Sequence, residues 1–363
     1  MNKLEQELQK RTISSNLYRP VINSNRIQCL ACAHLCKIQD GKRGICYVRY
    51  NENGKLKVPF GYVGAFQCDP IEKKPFFHAY PNSLALSIGM LGCDLKCSYC
   101  QNWVTSQTIR DTNAGVQPRD ISISTIIETA KNLNARSIVS TYNEPLITSE
   151  WSKKIFKEAK QHNLVTGFVS NGNATKEVLD YLHPYLEMYK VDLKTFNDRN
   201  YRKLGTTLDK ILNGIEMIYN KGIWLEIVTL LIPGFNNSIN ELKEMSKWIA
   251  NLSVDIPWHI TAYHPDYKMN EFPRTSVEHL LEAANIGNKA GLNYIYIGNV
   301  HGQIKGFENT SCPQCDSILV ERNGFKVINY NITEENKCPS CGLLIPGRWE
   351  KPNTRERLFY FLT

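Results

Sequence analysis

The 363-residue chain has no long apolar run and no low-complexity tract. Its most apolar stretch, Ile223 to Phe235, is interrupted by Glu226 and Pro233. That is too short for a bilayer core, which takes about 20 apolar residues in a helix. The opening Met1-Asn-Lys-Leu-Glu-Gln-Glu7 holds no apolar signal core, so a cytoplasmic protein without membrane contact is expected. Self-similarity at solenoid periods is absent. No Gly-x-Gly-x-x-Gly follows the first strand-like run, which argues against a dinucleotide-binding Rossmann unit. Basic blocks are missing too. The net charge of +8 is compatible with an acidic partner such as nucleic acid, but no segment concentrates it.

Cysteine is abundant. Of twelve cysteines, eleven fall into three groups: Cys29, Cys32, Cys36 and Cys46; Cys93, Cys97 and Cys100; Cys312, Cys315, Cys338 and Cys341. Cys68 stands alone and reads as a small interior hydrophobe. Secreted proteins scatter and pair their cysteines, whereas tight C-x2-C pairs without a signal peptide read as metal ligands.

The central group has C-x3-C-x2-C spacing directly after the apolar run Leu84-Ala-Leu-Ser-Ile-Gly89. No fourth cysteine follows nearby. Three thiolates can hold three irons of a four-iron cluster and leave one iron open for chemistry on a ligand. A zinc loop short of one ligand is the alternative. The C-terminal group is two C-x2-C knuckles about twenty residues apart, a closed four-thiolate site of zinc-ribbon or rubredoxin-like type. Zinc there would stabilise a module with little core of its own. The N-terminal group also closes with four thiolates. Zinc is the expected metal, with His34 as a substitute ligand, and a second iron–sulfur cluster also fits.

Periodicity places these groups on a fold. Apolar or β-branched runs occur at 84–89, 136–142, 164–170, 186–193, 223–232, 257–263 and 293–298, separated by amphipathic helical segments. Ser124, Thr148 and Thr175 are candidate helix caps. Seven alternating strands predict an α/β protein with a partial or complete (β/α) barrel, whose active residues gather at the C-terminal strand ends. Residues 1–15 read as a short polar helix. Residues 51–83 read as irregular, with a hairpin-type turn at Asn53-Gly54. The expected organisation is an N-terminal Cys-rich metal-binding segment (1–83), a barrel (84–305) and a four-cysteine tail (306–363).

The strand ends carry polar residues. Glu144 ends the second run before Pro145, placed to accept from an ammonium group or to cap a turn. Ser170-Asn171-Gly172 ends the third, either as ligand-binding groups or as an ordinary turn. Asp192 and Lys194 fall on one side of the fourth run and Leu193 on the other; an inward ion pair is costly unless functional or well paired. His264 at the sixth exit and His301 after Gly298-Asn-Val300 are further candidates for the same mouth.

These residues resemble the radical S-adenosylmethionine (SAM) superfamily, whose signature is a C-x3-C-x2-C loop after the first barrel strand, commonly with an aromatic such as Tyr99 before the last cysteine. Several further motifs occur in order: Asp69-Pro-Ile-Glu-Lys-Lys-Pro75, Ser87-Ile-Gly-Met-Leu-Gly-Cys93, Cys100-Gln-Asn-Trp103, Thr141-Tyr-Asn-Glu-Pro145, Val191-Asp-Leu-Lys194, Ile232-Pro-Gly-Phe235 and His264-Pro-Asp-Tyr267. With the cysteine-rich tail, they look like the radical SAM enzyme of the AmmeMemoRadiSam system, related to pyruvate formate-lyase-activating enzymes. The resemblance implies a [4Fe-4S] cluster on Cys93, Cys97 and Cys100. It implies reductive cleavage of SAM to a 5′-deoxyadenosyl radical that abstracts hydrogen from a substrate it does not name. Tyr99, Glu144, Ser170, Asn171, Asp192 and Lys194 are the implied SAM-binding residues. The superfamily's Gly-Gly-Glu motif is Tyr-Asn-Glu here. A flavodoxin- or ferredoxin-type reductant and AMMECR-type and Memo-type partners are also implied. The alternatives are a glycyl-radical activase, a radical modifier of RNA or protein, and a non-enzymatic zinc module for nucleic acid or metal sensing.

Overall fold

The computed structural model describes residues 3–300, 304, 306–351 and 360–361. Its frame is one large sheet. Strands β1 (Leu84–Gly89), β2 (Ala135–Ser140), β3 (Val165–Ser170), β4 (Met188–Asp192), β5 (Trp224–Leu231), β6 (Trp258–Ala262) and β7 (Ile295–Gly298) lie side by side in chain order. All six of their pairings are parallel. Strand Ala65–Pro70 adds antiparallel to β1, and Tyr360–Phe361 adds antiparallel to that strand. Among the described residues the two edges do not pair, so the barrel is partial. Parallel strands need crossovers, and helices supply them on the outside.

The helices form where polar caps meet amphipathic stretches. Ser122, Thr175, Ser238 and Ser276 each accept a backbone N–H of the first turn with their side chains, which satisfies one of the orphan donors there. Ser122, rather than Ser124, caps its helix, and Thr148 precedes a helix without a side-chain cap bond. All six residues of β1 are buried, as expected for a strand covered on both faces.

Two local expectations need correction. The helix within residues 1–15 spans only Lys3–Gln9, and Thr12–Ser15 is a strand, since β-branched Thr12 and Ile13 fit a pleat better than a helix. Residues 51–70 are mostly strands rather than irregular, while 74–83 hold no regular element. Lys55–Pro59 pairs with Thr12–Ser15 and with Tyr50–Glu52, and its alternating Leu56 and Val58 are wholly buried. Asn53 and Gly54, both with positive φ, make the turn expected there. Cys68 packs in the main core.

The tail forms a three-stranded sheet of Thr310–Ser311, Ile318–Asn323 and Lys326–Tyr330. Leu319, Val320, Ile332 and Ile345 share a small core with Phe77, Tyr294 and Tyr296 of the body. His78 joins the two parts. Its Nδ1 lies 2.8 Å from the Pro346 carbonyl and its Nε2 2.6 Å from the Tyr296 hydroxyl. A carbonyl can only accept, so Nδ1 carries the proton and Nε2 accepts from Tyr296. No described helix is long and apolar enough to cross a membrane.

Candidate cluster and cofactor site

The three central cysteines sit in the loop leaving β1, where the chain turns sharply at Gly92 (φ +95°). A Cβ on Gly89 would lie 2.6 Å from the Thr141 carbonyl oxygen, so only glycine lets the end of β1 meet the turn that carries Glu144. The Leu95 N–H approaches the Cys93 sulfur at 3.4 Å, and the Cys100 sulfur lies 3.1 Å from the Ser106 hydroxyl. Burial pushes the Cys97 thiol up to about 12, while Lys194 pulls the other way. Such thiols give up their protons when a metal replaces them.

All three cysteines line one cavity of about 590 Å³ at the C-terminal strand ends, together with Tyr99, Glu144, Ser170, Asn171, Asp192 and Lys194. The nine residues that the sequence nominated here therefore converge, although they span the loop after β1 and three further strand ends. Among the described residues only Cys312, Cys315, Cys338 and Cys341 bring their sulfurs within 4.8 Å of one another. The central three do not form so close a group. The Tyr99 hydroxyl is buried in the cavity wall without a protein partner. Three buried or half-buried thiols around a cavity, with no fourth beside them, and a waiting hydroxyl fit a cluster with an adjoining organic ligand.

Glu144 is 2 % exposed. It accepts from Leu146 N–H at 3.0 Å, the Ser170 hydroxyl at 2.7 Å and Asn171 N–H at 2.8 Å. It thus caps the following 3-10 turn and still has acceptor capacity, since a carboxylate has about four lone-pair sites. Burial raises its pKa, with the nearby Asp94 charge adding to the effect. Ser170 and Asn171 spend their polar groups locally. Ser170 accepts from Tyr189 and Gly172, and Asn171 donates to Asp94. Their role in this arrangement is to hold Glu144 and Asp94.

Asp192 and Lys194 face the cavity with Leu193 behind, as alternation requires. Lys190 is the unexpected third member, 2.5 Å from Asp192, whereas Lys194 is 3.7 Å away. The same two-residue period would have pointed to it. Burial opposes ionisation of Asp192, but the two ammonium groups hold its carboxyl below the usual range. His264 is half-exposed against Gln101 and is not on the cavity wall. The histidine of β6 that reaches the wall is His259, 2.7 Å from Glu226; strand alternation would have found it. His301 lies outside the described residues.

Asp94 was also missed. It is buried and accepts from the side-chain amides of Asn171 and Asn173, both at 2.7 Å. Tyr142 stands where the superfamily motif has glycine, and its φ of 68° is the left-handed conformation that glycine favours. Its ring packs under the Lys74 ammonium, and its hydroxyl lies 3.0 Å from that ammonium. Lys74 in turn pairs with Asp69 at 2.8 Å. The segment Asp69–Pro75 therefore holds a tyrosine where sterics alone prefer glycine.

Residues 87–249 match the family model of the radical SAM superfamily. An uncharacterized protein of Methanocaldococcus jannaschii is 35% identical over 325 residues, covering 88% of this chain and 95% of that one. The chain belongs to the radical SAM superfamily. The pyruvate formate-lyase-activating enzyme of Staphylococcus aureus is 24% identical over 187 residues, 48% of this chain and 72% of that enzyme. A radical SAM methyltransferase from Sphaerobacter thermophilus superposes with a TM-score of 0.47 at 17% identity, over 60% of this chain and 67% of that one. Superfamily members cleave SAM at an iron–sulfur cluster, and the open triad and its cavity are the part of this chain suited to that cofactor pair.

Proposed function

We propose that this protein is a radical SAM enzyme in which Cys93, Cys97 and Cys100 hold a [4Fe-4S] cluster and the adjoining cavity binds SAM. The observation that carries the reading is the convergence of the open cysteine triad, Tyr99, Glu144 and the Lys190–Asp192–Lys194 row on one cavity. When bound, the cluster and SAM together supply a one-electron cleavage that yields a 5′-deoxyadenosyl radical for hydrogen abstraction. The protein's part is positioning and exclusion of water. Glu144 uses its remaining acceptor capacity on the SAM amino group. Asp192, held ionised by its two lysines, and the Tyr99 hydroxyl serve the rest of the cofactor. Ser170, Asn171 and Asp94 keep these groups in place. The reductant is of flavodoxin or ferredoxin type, and AMMECR-type and Memo-type proteins are the partners that the family resemblance adds.

A second reading is a glycyl-radical activase, favoured by the similarity to the Staphylococcus aureus activating enzyme. The test of the first reading is anaerobic reconstitution with iron and sulfide, followed by reductant and SAM. 5′-Deoxyadenosine should form, and Cys97→Ala should abolish it. A protein that takes up neither cluster nor SAM would end the proposal. Product formed only when a glycine-loop peptide is added would favour the activase.

A further inference from the structure

We propose that Cys29, Cys32, Cys36 and Cys46 hold a second, closed iron–sulfur cluster rather than a zinc ion. The four cysteines fall within eighteen residues by their numbering, and none of them is in a disulfide. Cys29, Cys32 and Cys46 are buried, and Cys36 is half-buried.

One of the four sulfurs also has a buried N–H donor aimed at it. The Arg49 Nε–H donates to Cys29 at 3.3 Å. Such contacts are the means by which a protein holds metal-bound thiolates and tunes a cluster. A pocket of ordinary thiols has no need of them. Arg49 is itself pinned by a two-point pair with Glu150, both contacts at 2.7 Å, and is 1% exposed. A buried guanidinium costs desolvation, so its placement against a sulfur is a specific feature of the fold.

Spacing then separates zinc from a cluster. A tetrahedral zinc with bonds of about 2.3 Å sets its sulfurs roughly 3.8 Å apart. The C-terminal quartet meets this, with sulfur separations of 3.5 Å and 3.6 Å. Among the described residues it alone does so. Neither the N-terminal quartet nor the central triad forms so close a group, and an arrangement with a polynuclear body at its centre suits both.

The two cluster positions are neighbours. Asp94, next to Cys93, lies 3.5 Å from His34, which is two residues from Cys32. The Ala33 N–H donates to the Asn173 carbonyl, and Asn173 donates to Asp94.

The experiment is metal and labile-sulfide analysis of the anaerobically reconstituted full chain, with EPR of the reduced protein with and without SAM. Wild type should carry about eight irons and eight sulfides with about one zinc. The triple variant Cys93→Ala, Cys97→Ala, Cys100→Ala should keep about four irons and a signal indifferent to SAM. The variant Cys29→Ser, Cys36→Ser should keep about four irons and a signal that responds to SAM. Two zincs and no labile sulfide in the triple variant would overturn the assignment. If that variant does not fold, an unchanged iron content in Cys29→Ser, Cys36→Ser would overturn it. Loss of SAM response with a normal iron count would instead count against the proposed function and leave the second cluster standing.

Discussion

Glu144→Gln is the substitution on which the cofactor reading turns. The carboxylate accepts three hydrogen bonds from two directions, Leu146 and Ser170 at one oxygen and Asn171 N–H at the other. A glutamine amide has only one accepting end. Whichever way it is placed, an NH2 group faces a donor, and a buried donor left unsatisfied costs about 1–3 kcal/mol. The chain should therefore fold with a lowered thermal midpoint. Loss of the charge is felt separately by the SAM ammonium. A hydrogen bond to a charged group is worth about 1.5–3 kcal/mol, which is a roughly 10- to 150-fold rise in SAM Kd. The assay is calorimetric or equilibrium-dialysis binding of SAM to the cluster-loaded variant, with iron content and the visible spectrum as controls for the cluster. Wild-type affinity in a fully loaded Glu144→Gln protein would refute the reasoning and leave Glu144 as a turn cap only.

Gly89→Ala should move the same turn from behind, since its Cβ would meet the Thr141 oxygen at 2.6 Å and the Tyr142 Cβ at 2.8 Å; overpacking of this kind costs about 1–3 kcal/mol, read as a lower thermal midpoint together with weaker SAM binding. Acidification should loosen the junction between body and tail. Burial pushes His78 down to about 4, so the unfolded chain binds the extra proton below its usual range near 6.5 and stability falls as pH drops. The loss is about 2 kcal/mol by pH 5 and about 3 kcal/mol by pH 4, and His78→Gln should flatten a plot of stability against pH over that interval. Cys338→Ala should unfold the tail while leaving the large sheet protected. Its own apolar core is small, so hydrogen exchange should rise across Thr310–Tyr330 and stay slow in β1 to β5.

Much of this arrangement was legible in the residues. The strand and helix rhythm from Leu84 onward was readable because each parallel strand is a short apolar run bounded by polar caps. The cysteine spacings separated a group of three from two groups of four, and the C-terminal four do close on one another, because ligand number and grouping reside in local spacing. Local alternation put Asp192 and Lys194 on one face, and it would equally have placed Lys190 and His259 on the cavity wall. The misses have a common origin. Nothing near Asp94 in the chain announces that Asn171 and Asn173 will close on it, and nothing near Tyr142 shows that Lys74 and Asp69 will hold it.

The sequence by itself determined the ligand types, their grouping, the alternating α/β order and the family to which the chain belongs, because all of these reside in spacing over a few residues. Only the tertiary structure decided that nine nominated residues share one cavity and that Glu144 accepts two hydrogen bonds at one oxygen and one at the other. Those properties depend on distances between groups far apart in the chain, and such distances are set by how the sheet curves and what packs against its end.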